Sequence, residues 1–235
     1  MAVAAPQEIV ADEVVLLAGL VPLPGATVVD LGCGNGDFAR KLVAKGNAAS
    51  VDAMEVDAIQ HARNLAGPPT PGIAFSTGGA ERIGLPDASR DLVVMMKSLH
   101  HVPMDLLDPA LLEIRRVLRP GGYLYVSEPV FAGEFNDVVK LFHDEGEVRA
   151  AAYAAIQRAI ERGVFVPVLE KEFMAPLFFR SYDDFVERIV KATHSEHVLT
   201  EELARVVRSR FESHMTPSGA NFIRPMRINL LRKAA

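Results

Sequence analysis

The sequence predicts an α/β fold built on a doubly wound, mostly parallel sheet. Three observations carry this. Between residues 27 and 127, short apolar strands alternate with helices. Residues 92–96 are apolar throughout, as in a strand covered on both faces. The first strand runs straight into a glycine turn, Gly32-Cys33-Gly34-Asn35-Gly36. In an open sheet of this kind, ligands bind beyond the carboxyl ends of the strands, where that turn lies.

The elements follow in order. Residues 6–19 read as a helix, with Ile9, Val10, Glu13, Val14 and Leu17 at helical spacing and Gly19 as the stop. Residues 27–31 are a short apolar strand, and 37–45 a helix ended by Gly46. Residues 48–55 form the second strand, 57–66 the second helix, and 72–76 a weak third strand. The fourth strand covers 90–96. Asp108 then reads as an N-cap, with Pro109 at the first helical position and Leu111, Leu112, Ile114, Val117 and Leu118 on the inner face. Arg119-Pro120-Gly121-Gly122 is a turn, and 123–127 the fifth strand. Beyond it the rhythm changes. Residues 131–163 read as mainly helical, 172–179 as a strand, and 181–192 as a helix with Asp184 in the capping-box position. Residues 200–214 are another helix, and 221–231 a last strand in which Pro225 predicts a bulge or poor pairing.

The chain has 235 residues, 49% of them hydrophobic and 23% charged, which fits one domain spanning 1–235 with an ordinary buried core. Cys33 is the sole cysteine, so no internal disulfide forms. No apolar run reaches membrane-span length, and residues 1–10 lack a basic segment, so a cytoplasmic protein is expected. The net charge of −5 argues against a nucleic-acid partner. Residues 201–235 hold seven Lys/Arg and three Glu, read as solvated faces of a helix and a strand. No H-E-x-x-H and no cysteine pair is present, so no metal is expected.

The glycine turn excludes some ligands. The dinucleotide pattern G-x-G-x-x-G needs glycine at position 37, which is Asp37, so nicotinamide redox chemistry fails on spacing. Carboxylates at Asp30 and Asp37 would oppose a pyrophosphate; they suit a ligand carrying an ammonium and a sulfonium. Glu55 ends the second strand 19 residues beyond Gly36, where a nucleoside-binding sheet places an acid for the ribose hydroxyls.

With these residues in place, residues 28–36 resemble motif I of the class I S-adenosylmethionine-dependent methyltransferases, D/E-x-G-x-G-x-G after a hydrophobic strand. Residues 51–63 are similar to the family's second motif, and 85–94 to the segment before its fourth strand. Ser98-Leu99-His100-His101-Val102 and Leu118-Arg119-Pro120-Gly121-Gly122 match its SLHHV and LRPGG stretches. The closest branch is the small-molecule group that includes ubiquinone and menaquinone methyltransferases. The resemblance implies a Rossmann-like sheet of seven strands with the last antiparallel. It also implies methyl transfer from S-adenosylmethionine, leaving S-adenosylhomocysteine.

On that resemblance, the cofactor would be held by Asp30, Gly32, Cys33, Gly34, Asn35, Gly36, Glu55, Val56, Ala80, Glu81 and Lys97. The family often has Asp in a G-D-A segment that contacts adenine; here it is Gly79, and Glu81 or the Ala80 N–H must serve instead. Arg90 replaces a phenylalanine. His100 and His101 follow the fourth strand and offer a general base, or only shape the loop. Glu128, Phe131, Phe142 and His143 are candidates to contact the acceptor, although aromatics at helical spacing are more often core. Residues 130–163, after the fifth strand, read as a helical lid. The expected partner is a small methyl acceptor, and the expected state a monomer or homodimer. An RNA-modifying methyltransferase and a non-catalytic cofactor-binding protein are the alternatives.

Overall fold

A computed structural model describes residues 8–191 and 199–234. The described residues form two compact units: residues 12–128, 148–171 and 227–234, and residues 8–11, 129–147, 172–191 and 199–226.

The first unit carries the parallel sheet. Strands β1 (Thr27–Leu31), β2 (Ser50–Glu55), β3 (Ile73–Thr77), β4 (Arg90–Met96) and β5 (Leu118–Pro129) lie in the order β3-β2-β1-β4-β5, with parallel pairing throughout. The sheet continues through β8 (Gly219–Arg232) to β6 (Val166–Phe179), and the two-residue β7 (Met215–Thr216) pairs antiparallel with β8. Lys233 pairs with Gly121 and Gly122, and Pro225 with Val130, so β8 runs antiparallel to β5. Pro225 still contributes its carbonyl, accepting from the Val130 N–H at 3.0 Å. The seven-stranded path and its antiparallel end agree with the sequence reading.

From β1 the chain builds outward to β3, then returns to place β4 on the other side of β1. That reversal makes the carboxyl ends of β1 and β4 the switch point, the place where open sheets of this kind bind ligands. Both faces of the sheet are covered. Helices α2 (Asp37–Ala44) and α3 (Ala58–Ala66) pack on β2 and β3, with α1 (Glu13–Ala18) against α2. On the opposite face Val29, Leu31, Val93, Met95 and Val126 are almost wholly buried, together with Leu111 and Ile114 of α4 (Leu107–Val117) and Ala152 and Ile156 of α6 (Gly146–Glu161). Each of the Val, Leu, Ile and Met side chains contributes roughly 1.5–3 kcal/mol by leaving water.

Several boundaries differ from the sequence reading, and each has a local cause. The first helix begins at Glu13, not residue 6; Pro6 and Gln7 lie outside the described residues. In the second unit, Glu8 and Val10 are instead strand-like, bonded to Met174 at 2.8 and 2.9 Å. Helix α4 starts one residue before Asp108, which caps nothing. Its carboxylate instead pairs with Arg158 and Arg162 at 2.7 and 3.0 Å. Residues 119–122 belong to β5, with Gly121 in the left-handed region and its N–H bonded to Lys233. The expected lid divides between the two units: residues 148–161 of α6 pack into the sheet core of the first, and 129–147 belong to the second. No helix joins β3 to β4.

The second unit contains α5 (Glu134–Val139), the later half of β6, the earlier half of β8, α7 (Tyr182–Phe185) continuing as a π-helical turn (Val186–Val190), and α8 (Glu201–Glu212). Its core is aromatic. Phe185 meets Phe179 edge-on at 5.6 Å and lies 4.9 Å from Phe211. The expected cap is present, Ser181 accepting from the Asp184 N–H, and Thr200 also caps its helix by accepting from the Leu203 N–H, both at 3.2 Å. No helix among the described residues is long and apolar enough to cross a membrane.

Candidate functional site

Strand β1 ends at Leu31, and the next two N–H groups, Gly32 and Cys33, both donate to the Met54 carbonyl of β2 at 2.9 and 3.0 Å. Gly32, Gly34 and Gly36 have φ of 69°, 54° and 77°, a region that glycine alone enters freely. Two of them are also fixed by packing. A Cβ on Gly32 would lie 2.5 Å from the Ser98 Cβ, and one on Gly36 would lie 2.7 Å from the Phe75 ring. A Cβ on Gly34 meets nothing within 4 Å. The protein therefore needs Gly32 and Gly36 for its own packing, whereas Gly34 faces open space. Gly32→Ala is expected to lower unfolding free energy by roughly 2–4 kcal/mol, from strain plus a clash. Gly34→Ala should cost only about 1–2 kcal/mol, from the backbone alone. Equal urea midpoints for the two variants would contradict this division.

Two carboxylates flank the loop. Glu55, at the end of β2, is buried, and its Oε2 accepts from the Gly34 N–H at 2.7 Å. Its Oε1 accepts from the N–H groups of Val56 and Asp57 at 2.9 and 3.0 Å. Three of a carboxylate's roughly four acceptor positions are thus used, and Glu55 ties the loop to the strand before any ligand arrives. Val56, beside it, is 69% exposed, an apolar surface where a nucleoside base could lie.

Asp30 is fully buried, and neither carboxylate oxygen has a hydrogen-bond partner. Burial pushes its pKa up to about 7, with the Lys97 charge opposing and the Glu55 charge adding to the rise. An orphaned buried carboxylate is costly unless something compensates it, and a cationic ligand group would. Lys97 itself follows β4 with φ of 59° and donates its N–H to the Ser127 carbonyl at 2.7 Å.

The remaining sequence candidates divide. Burial, followed by the charges of Asp30 and Glu55, pushes the Cys33 thiol up to about 12, so it stays neutral as loop filling. Asn35 and Asp37 bond to each other through Asn35 Nδ2 at 2.8 Å, which turns the Asp37 carboxylate onto its own loop. Ala80 is buried, and the Glu81 carboxylate folds back to where a side chain on Gly79 would begin. Glu81 thus occupies the space that the family's aspartate would fill. A cleft of about 570 Å³ opens beside β2 and β3, touching Gly79 and Glu81 but neither the glycine loop nor Glu55.

At the ends of β4 and β5, Ser98 Oγ donates to the Leu31 carbonyl at 2.7 Å, which seats the turn Leu99–His101 beside the glycine loop. Glu128, expected as an acceptor contact, gives one oxygen to the Leu99 N–H at 2.8 Å and the other to His100 Nδ1. His100 and Glu128 are both nearly buried, whereas His101 is exposed. The other three acceptor candidates lie in the second unit. Phe142 packs edge-on to Phe185 at 6.2 Å, in the aromatic core. Phe131 is 40% exposed, and His143 pairs with Glu145 at 2.8 Å.

One contributor is invisible in the sequence. Asn64 on α3 is buried and donates through Nδ2 to the Gly34 carbonyl at 2.7 Å. The helix's other partly buried positions, Gln60 and His61, are polar too, so nothing in the residue pattern sets Asn64 apart.

Residues 28–122 match the family described as Methyltransferase domain. The ubiquinone/menaquinone biosynthesis C-methyltransferase UbiE of Caulobacter sp. (strain K31) is 33% identical over 125 residues, 48% of this chain and 49% of its own. The 27-O-demethylrifamycin SV methyltransferase of Amycolatopsis mediterranei (strain S699) is 33% identical over 117 residues, 48% of this chain and 42% of its own. The chain thus spans about half the length of these curated relatives. The solved structure of the YcgJ protein of Bacillus subtilis covers 94% of this chain and 98% of its own, with a TM-score of 0.61 at 15% identity, a likeness of fold.

Proposed function

We propose that the protein, whose residues 28–122 match a methyltransferase domain, is of the class I S-adenosylmethionine-dependent type and transfers a methyl group from S-adenosylmethionine to a small-molecule acceptor. The observation that carries this is the pairing of the orphaned carboxylate of Asp30 with the left-handed glycine loop and Glu55. When bound, the cofactor supplies a methyl group already activated on a positively charged sulfur.

The protein's residues bind, orient and shield. Asp30 offers a buried negative charge to the ammonium end. Glu55 offers its remaining acceptor capacity to the ribose, and the open side of Gly34 admits close backbone approach. Val56 and the Gly78–Glu81 turn offer surface to the base. Catalysis then rests on alignment and exclusion of water, with no covalent enzyme intermediate. His100, its ring oriented by Glu128, is a candidate to take the acceptor's proton. His100→Ala is expected to slow turnover about tenfold or more while leaving S-adenosylhomocysteine affinity within about twofold. Unchanged turnover would remove the histidine from the reaction.

A small acceptor is supported by the names of the two relatives and by the net charge of −5. The test is incubation with methyl-labelled cofactor and three acceptor pools: a cell metabolite extract, total RNA and total protein. Label in solvent-extractable small molecules is the expected result. Label confined to RNA or protein would contradict the acceptor class, and no transfer to any pool would contradict the activity.

A further inference from the structure

Helix α3 is amphipathic, yet its one buried residue is Asn64. Asparagine is unfavourable inside helices, so a buried one calls for a specific partner. Asn64 has partners on both sides of its amide. Nδ2 donates to the Gly34 carbonyl at 2.7 Å and lies 3.9 Å from Cys33 Sγ. Oδ1 accepts from Gln60 Nε2 at 2.9 Å, one helical turn earlier, which fixes which end of the amide faces the loop.

The two peptide groups flanking Gly34 are therefore pinned by side chains from two different elements. Glu55 of β2 holds the N–H at 2.7 Å, and Asn64 of α3 holds the carbonyl. Gly34 has no side chain, stands at φ 54°, and has nothing packed where a Cβ would be. Its following peptide can rotate cheaply unless something restrains it.

We propose that Asn64 is a positioning residue for the cofactor: it holds the carbonyl of Gly34 so that the loop is already in its binding conformation when the cofactor arrives. This rests on the cofactor reading above. A preorganised loop binds more tightly because less ordering is left to be done on binding.

The experiment is calorimetric titration of the full chain with S-adenosylhomocysteine, with amide hydrogen exchange at residues 33–36 measured in the free protein. Asn64→Leu, similar in size but without a donor, is expected to raise Kd about fivefold to tenfold, the worth of one hydrogen bond. It should also speed exchange in the loop, and saturating S-adenosylhomocysteine should slow that exchange again. Gln60→Ala changes a partly exposed position and leaves the Asn64 amide unsupported. It should raise Kd about twofold to threefold, and it serves as the deciding variant if Asn64→Leu does not fold. A variant that unfolds more easily yet binds with the wild-type Kd would make Asn64 a core residue only and overturn the proposal. If the wild-type chain itself failed to bind, the cofactor reading would fall first.

Discussion

Replacing Glu55 by alanine is expected to weaken S-adenosylhomocysteine binding about a hundredfold. The carboxylate accepts N–H bonds from Gly34, Val56 and Asp57. Bonds to a charged acceptor are each worth roughly 1.5–3 kcal/mol. Alanine would leave three donors without their partner, free the loop, and remove the acceptor offered to the ribose. Unfolding free energy should fall too, by about 1–3 kcal/mol, since these groups lie near water and can be partly rehydrated. Glu55→Gln keeps one oxygen and should fall between, at about tenfold weaker binding. Calorimetry on the three proteins checks the order; wild-type affinity in Glu55→Ala would remove the nucleoside role from this residue.

The second large effect is on pH dependence, through Asp30. Its folded pKa is raised from 3.8 to about 7, chiefly by burial. The folded state therefore holds this proton more tightly than the unfolded chain does. The resulting stability is fully present below the unfolded pKa and is lost as pH rises from about 4 to about 7, on the order of 4 kcal/mol in all. A cationic ligand favours the ionised form. Below about pH 7, binding must then release a proton, and affinity for S-adenosylhomocysteine should be about tenfold weaker at pH 6 than at pH 8. Titrations in two buffers of different ionisation enthalpy should show release approaching one proton per ligand at pH 6. Asp30→Asn should bind weakly at both pH values and release none. Equal affinity at pH 6 and pH 8 in the wild type, with no proton release, would mean that no cation settles against Asp30.

How much of this was legible in the sequence follows from where each signal resides. β4 was readable to the residue, because a strand buried on both faces is a plain apolar run between polar ends. β1, the glycine loop, Asp30 and Glu55 were readable because backbone conformation and charge at a strand end demand particular residue types. β6 was half hidden: its first six residues, from Val166, lie at a sheet edge with mixed exposure, and their pairing with β8 is not written locally. Helix α6 reads as part of a lid because it follows the fifth strand at the active edge, but Ala152, Ala155 and Ala159 are the small side chains that close packing on a sheet needs. Asp108 looked like a cap until Arg158, 50 residues away, claimed its carboxylate. Asn64 could not be found because a polar residue on an amphipathic helix reads as solvated, and only the fold brings it to Gly34.

The most direct test of the central claim, that residues 30–64 build an S-adenosylmethionine site, is calorimetric titration of the unmodified chain with S-adenosylhomocysteine at pH 8. One ligand per chain with a Kd in the micromolar range, displaced by S-adenosylmethionine and not by NAD, is the result predicted. No heat of binding, or tighter binding of NAD, would contradict it.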